Sequence, residues 1–439
     1  MFKQEFADSI RMRLERLIPE FEKKFLEREE VIRMLLLTIM SKANAFLIGL
    51  PGLAKSDILD KLCYMIEQYT WYEKLFTKET TESAIFGRKT VANDDTECFA
   101  TRGMLPEANF ALLDEVFKSP KELLDSMLQA INEKKFKNGP DVQVVPLYSV
   151  FAASNELPKE LDSPFFDRLH FKYKLNDIQS PDNFIRFMNG DFDRTKTISH
   201  QFTLGEIDEI GLQKQNVTTP EPIQKVLVEF WRGYNINKIR ISTRTWGFVR
   251  EILRVTAFCN GRNEVDFSDL CVMQWICWSD YTQREKNETL IHKVLFGEKA
   301  DVESTLIDVQ ESYEKIKSYL WSEDDFYEHR IDLSSNEEDE YALRISENEK
   351  ILDRIQKNIS LLTKIRYRFF MVRGIERQIE KNVFLLNIKN RVFDDSNIDR
   401  TDFFYAELLS KEGKLSSFLD KNRTKLTYEN NRFYKKMND

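Results

Sequence analysis

The chain has 439 residues, 42% of them hydrophobic and 31% charged, with a formal net charge of -8. This length leads us to expect two or three domains with well-formed cores, and the acidic balance speaks against a surface devoted to clamping nucleic acid. Five scattered cysteines without a CxxC pair, four separated histidines, no basic-then-apolar leader and no long apolar run argue against a disulfide framework, a zinc site, a secretion signal and a membrane span, so a cytoplasmic protein is expected.

Leu14, Leu17, Ile18, Phe21 and Phe25 recur at helical spacing, and residues 31–40 form a second, more apolar helical run. Ala45-Phe-Leu-Ile48 is short, apolar and ends at glycine, as a buried parallel strand does. A helix is expected over about residues 56–69, then a second buried strand, Phe110-Ala-Leu-Leu113, ending in Asp114-Glu115. Ser119-Pro120-Lys121-Glu122 reads as a helix start in which serine caps, proline takes the first helical position and glutamate completes a capping box. Residues 147–152 form a third strand running into Ser154-Asn155. Strands alternating with helices imply α/β architecture, with a parallel sheet covered on both faces.

Beyond residue 178 the strands stop. Thr203-Leu-Gly-Glu206 is another capping box, and residues 220–234, 243–260 and 267–280 carry helical periodicity, which implies a smaller all-α domain. Trp231, Trp246, Trp275 and Trp278 fall on these helices and are expected in their core. From residue 286, Leu306, Val309, Tyr313, Ile316 and Leu320 step by three and four, as do Leu352, Ile355, Ile359 and Leu362, so long packed helices are expected. The acidic segments 323–325 and 337–340 are expected to be exposed, residues 383–388 to form a lone strand, and the last stretch to be helical.

The chemistry concentrates in Gly49-Leu50-Pro51-Gly52-Leu53-Ala54-Lys55-Ser56, which departs from G-x-x-x-x-G-K-[ST] only at Ala54. Such a turn aims backbone N–H groups at phosphates, the following helix adds its positive dipole end, Lys55 reaches the β and γ phosphates, and the Ser56 hydroxyl ligates Mg2+. A plain strand–turn–helix could carry the same residues. Asp114-Glu115 decides between the readings: after a buried strand, the first carboxylate can hold Mg2+ and the second can orient and deprotonate the attacking water. Asn155 could hold that water; taken by itself it reads better as the cap of the next turn.

Gly49–Ser56, Gly103-Met-Leu-Pro-Glu-Ala108, Ala111-Leu-Leu-Asp-Glu115, Ala130-Ile-Asn-Glu133 and Ala152-Ala-Ser-Asn-Glu-Leu-Pro158, in this order, resemble the MoxR family of AAA+ ATPases. The alanine before the loop lysine and the run Ala-Ser-Asn-Glu-Leu-Pro are similar to its RavA branch. The resemblance covers residues 25–282, most strongly 45–160. It implies an AAA+ αβα nucleotide-binding sandwich over residues 1–178, an all-α lid over 179–285 and a helical C-terminal extension over 286–439. It also implies ATP and Mg2+ as ligands, a hexameric ring of identical subunits, and chaperone-like remodelling of a partner that carries a von Willebrand factor A (vWA) domain. Phe165-Phe-Asp167-Arg168-Leu looks like the arginine-finger segment, with Arg168 reaching the neighbouring subunit's ATP. Ser242-Thr-Arg244-Thr-Trp246 looks like the sensor-2 segment, with Arg244 on the γ-phosphate of its own subunit. Residues 86–106 and 136–144 resemble inserted hairpins that face the ring's centre or a partner, and Asn138-Gly139 is a hairpin turn signal.

Three other classes stay open at this point. A nucleic-acid-stimulated motor is opposed by the acidic balance, and a non-hydrolysing scaffold by the intact Asp114-Glu115 pair. A GTP-dependent restriction component is not decided by the missing Asn-Lys-x-Asp motif, because that clade lacks one too.

Overall fold

Five short segments build one wholly parallel sheet: β1 (Ala45–Ile48), β2 (Trp71–Leu75), β3 (Phe110–Asp114), β4 (Ser149–Ser154) and β5 (Phe171–Lys174), in the order β5-β1-β4-β3-β2. This is a computed structural model describing residues 1–91, 97–158, 164–191, 201–297, 299–319, 338–386 and 395–437. β1 and β4 are buried along their whole length, as the apolar runs 45–48 and 150–153 require when helices cover both faces. Ala45 lies opposite Phe151 and Phe171, Ile48 opposite Ser154 and Lys174, and Asp114 opposite Ala153. Because every strand runs the same way, Gly49, Glu115 and Asn155 emerge together at the C-terminal edge. Asn44 and the chain entering β5 lie at the N-terminal edge.

One face of the sheet packs Phe46, Leu113 and Ala152 against Met127, Ile131, Phe165 and Phe166. The Phe46 ring stands edge-on to Phe117 at 5.2 Å and to Phe166 at 5.6 Å. The helix after the phosphate loop is Lys55–Tyr64, shorter than expected, because residues Ile66–Glu67 leave it to pair in parallel with Phe202–Thr203.

The two expected capping boxes part ways. Thr203 forms its box with Glu206 in both directions. At the other site Pro120 is the N-cap of helix Lys121–Asn132 without a side-chain cap, and the Ser119 hydroxyl donates to the Val116 carbonyl at 2.6 Å. The short 3-10 turn Val116–Lys118 has claimed that serine.

The helices Leu204–Gln213, Glu221–Ile236 and Thr243–Cys259 are followed by a 3-10 run, Phe267–Trp275, where an α-helix was expected. Trp275 and Trp278 are buried, but Trp231 is 54% exposed, so the expectation of a core tryptophan fails there. Residues 383–386 form a turn rather than a strand; 387 and 388 lie outside the described residues. Val383, Phe384 and Leu385 are nonetheless buried, and Arg33 Nη1 donates to the carbonyls of Val383 at 2.7 Å and Leu385 at 2.8 Å. A guanidinium here does what a neighbouring strand would have done.

The chain divides into two units, Met1–Leu295 with Glu376–Ile388, and Phe296–Ile375 with Lys389–Asp439. In the second, the helix Lys299–Tyr319 buries Leu306, Val309, Tyr313 and Ile316. Its Tyr313 ring lies 5.4 Å from Phe404, and Asn358 donates to Ser312 Oγ at 2.7 Å. Leu320 and the acidic residues 323–325 and 337 lie outside the described residues.

Candidate nucleotide site

Gly49 begins the phosphate loop at the end of β1, and its N–H donates to the Ser154 carbonyl at 3.0 Å, tying the loop to the strand that delivers Asn155. A Cβ at Gly49 would stand 3.0 Å from Leu175 Cβ and 2.9 Å from Leu53 Cδ1, so close packing requires glycine there. Gly52 has open space around it but φ +86°, a backbone region that favours glycine. Pro51 and Gly52 are exposed and Leu53 is buried beneath them. Ala54, which stands in the position of the second glycine, also has a left-handed backbone, φ 60° and ψ 26°, immediately before the helix begins at Lys55.

Lys55 is 9% exposed, and its ammonium donates to the Gly49 carbonyl at 2.8 Å; no carboxylate pairs with it among the described residues. A largely buried lysine whose ammonium meets a loop carbonyl and no counter-charge suits an anion. Ser56 is exposed on the first helical turn. Asp114, at the tip of β3, accepts the Glu115 N–H on Oδ1 at 3.0 Å. Glu115 has φ 54°, again left-handed, and is 7% exposed. Its Oε2 is buried without a hydrogen bond, although Lys118 Nζ stands 3.4 Å away. Asn155 Oδ1 is likewise buried without a partner. Two buried acceptors without hydrogen bonds beside a phosphate loop fit a water molecule aligned for attack. One hydroxyl and one carboxylate, with phosphate oxygens and water completing the shell, are the donor set Mg2+ favours.

The two arginines lie elsewhere. Arg168 belongs to a short 3-10 turn leading into β5, and its carbonyl accepts from Asn44 Nδ2 at 3.1 Å, at the N-terminal edge of the sheet. Arg244 sits in the first turn of the helix Thr243–Cys259, which Ser242 caps. Both reach the same atom: Asp167 Oδ2 is 2.9 Å from Arg168 Nη1 and 3.1 Å from Arg244 Nη1. The structure thus brings Arg244 to Arg168 and not to the phosphate loop of its own chain. Three residues of strand, roughly 10 Å, separate the two edges along β1.

Sequence reading had passed over the surroundings of this cluster. His170 stacks on Phe248 at 3.7 Å, and burial, aided by Lys172 and Arg168, pushes its imidazole down to about 3. Lys172 is 8% exposed, with its ammonium 5.3 Å from the Phe166 ring and burial lowering it to about 8. Burial and Arg244 lower Arg168. A histidine just before the strand and a lysine buried within it were the available signal.

A family model of the MoxR domain in MoxR–vWA–beta-propeller ternary systems matches residues 12–210, and an AAA lid domain model matches residues 222–291. A protein of Methanocaldococcus jannaschii without an assigned function is 30% identical over 397 residues, covering 89% of this chain and 96% of that one. The chaperone MoxR1 of Mycobacterium tuberculosis is 25% identical over 166 residues, 37% of this chain and 44% of that protein. A crystal structure from Cytophaga hutchinsonii, of a protein proposed to be an ATPase, has a TM-score of 0.53 at 21% identity, covering 66% of this chain and 96% of that one; it speaks for the fold. With its parallel sheet, lid and phosphate loop, the chain belongs to the MoxR family of AAA+ ATPases.

Proposed function

We propose that this protein hydrolyses ATP with Mg2+ and, as a hexameric ring, remodels a partner protein in the cytoplasm. The observation that carries the reading is the gathering of Lys55, Asp114, Glu115 and Asn155 at one sheet edge, Glu115 and Asn155 each holding a buried oxygen without a hydrogen bond. Lys55 binds the β and γ phosphates, and the loop from Gly49 to Ala54 wraps them with backbone N–H groups. Ser56 and Asp114 would hold Mg2+, which when bound offsets charge on the phosphate oxygens. Glu115 takes the proton from the water that Asn155 orients.

Arg168 and Arg244 share a carboxylate at the opposite edge, and we assign both to the nucleotide of a neighbouring subunit, where a guanidinium offsets charge in the transition state. For Arg244 this replaces the expected contact within its own subunit. The matched domain comes from systems that contain a vWA protein, which supports a vWA-domain partner here, and the MoxR1 relative supports a chaperone-like role. Ala54 and the run Ala153-Ser-Asn-Glu-Leu-Pro158 favour the RavA branch. No helix among the described residues is long and apolar enough to cross a membrane.

Glu115→Gln tests the assignment. It should bind ATP with unchanged affinity and hydrolyse it at least ~100-fold more slowly, the usual loss with a general base. Turnover at the wild-type rate would refute the base.

A further inference from the structure

We propose that Asp167 is a positioning residue that makes one functional unit of Arg168 and Arg244, resting on the ATPase reading above. Neighbouring groups are held by contacts of their own, and Arg168 Nη1 also donates to the Pro164 carbonyl at a long 3.5 Å. Asn44 fixes the Arg168 carbonyl while its own Oδ1 accepts from Val150 N at 2.9 Å. The Phe248 ring, one turn beyond Arg244, is pinned on His170. The side chains themselves converge on a single oxygen, Asp167 Oδ2.

Two guanidiniums at such range repel, and the surroundings add Lys172 and no further carboxylate within hydrogen-bonding distance of either group among the described residues. One carboxylate between two guanidiniums holds both in place and leaves a net positive charge. That surplus suits a phosphate that becomes more negative in the transition state. Asp167 also belongs to the core while Arg244 belongs to the lid, so the same carboxylate sets where the lid's arginine stands.

The alternative is an ordinary core–lid ion pair, which would change stability and leave chemistry alone. Steady-state kinetics and melting of Asp167→Ala, Asp167→Asn and Asp167→Glu separate the two. The proposal expects Ala and Asn to lower kcat about tenfold or more while the KM for ATP stays within about twofold, because the phosphate loop lies at the other edge. It expects Glu, which keeps the charge, to recover most of the loss. Wild-type kcat in the Ala and Asn variants overturns it. So does a raised KM with unchanged kcat, or a loss of kcat that follows melting temperature and that Glu does not repair. A failure of the ATPase reading is distinct: the wild type would not hydrolyse ATP, and Glu115→Gln would change nothing.

Discussion

Two residues of the site, Ala54 and Glu115, hold left-handed backbone without being glycine. An L-residue there costs about 1–2 kcal/mol, and strain of this kind tends to persist where function requires it. For Ala54 the cost can be measured directly. Ala54→Gly relieves the steric term but restores about 0.4–1 kcal/mol of unfolded-chain freedom, so a gain of about 0.5–1 kcal/mol is expected in denaturant melts without nucleotide. A loss instead would mean that the alanine methyl makes contacts worth more than the strain. His170 offers a pH test. Its folded-state value, about 3, lies below the ordinary 6.5, so the folded protein binds fewer protons than the unfolded chain between those values. Stability is therefore full above pH 6.5 and falls as pH drops toward 3, by about 2 kcal/mol at pH 5 from this group alone. His170→Phe keeps a ring on Phe248 and removes the titration. The variant should melt close to wild type at pH 8 and clearly above it at pH 5, whereas parallel pH curves for the two proteins would rule the imidazole out.

The two inserted hairpins, Arg88–Val91 with Glu97–Ala100 and Lys135–Asn138 with Asp141–Val144, are locked together by one side chain. Asn138 donates Nδ2 to the Phe99 carbonyl at 2.9 Å and accepts the Phe99 N–H on Oδ1 at 2.6 Å. Phe86 stacks on Phe136 at 4.7 Å beneath them. Asn138→Ala strands the Phe99 donor and acceptor, so a loss of about 1–3 kcal/mol is expected, with the Phe99 amide exchanging faster with solvent. Unchanged protection of that amide would show that the hairpins are joined by their rings alone. The Asn138-Gly139 signal was legible because a turn is a local matter: Gly139 has φ 62°, and Asn138 pairs with Asp141 across it. Strands β1, β3 and β4, the phosphate loop and the Thr203 cap were legible for the same reason, whereas β2 and β5, with polar residues along them, were not expected. What was not legible depends on distant partners. Ser119 lost its cap to the preceding turn, the apolar run after Asn382 had its carbonyls taken by Arg33 instead of a strand, and nothing near Arg244 in sequence points to Asp167.

At the scale of the whole molecule, the sheet's direction divides the site. The phosphate loop, Glu115 and Asn155 follow the C-terminal ends of β1, β3 and β4 and Asp114 closes β3, while Arg168 precedes β5. On the proposed assignment a single chain carries the two halves of the catalytic site on opposite edges, and a head-to-tail arrangement of copies would bring them together. Two consequences can be measured. Hydrolysis per subunit should fall on dilution as the assembly dissociates, in step with the mass seen by light scattering. Full activity in a single-chain species would refute an intersubunit site. Complementation is sharper. On the proposed assignment Lys55→Ala subunits would not hold nucleotide but would keep Arg168, and Arg168→Ala subunits would keep the phosphate loop but supply no guanidinium. Each alone should be inactive. In randomly mixed rings at equal amounts, about one interface in four pairs an intact loop with an intact arginine, so independent interfaces would return about a quarter of wild-type turnover. A plateau near that value fixes the arginine as a gift from the neighbour, and an inactive mixture of co-assembled rings would place Arg168 in the service of its own chain.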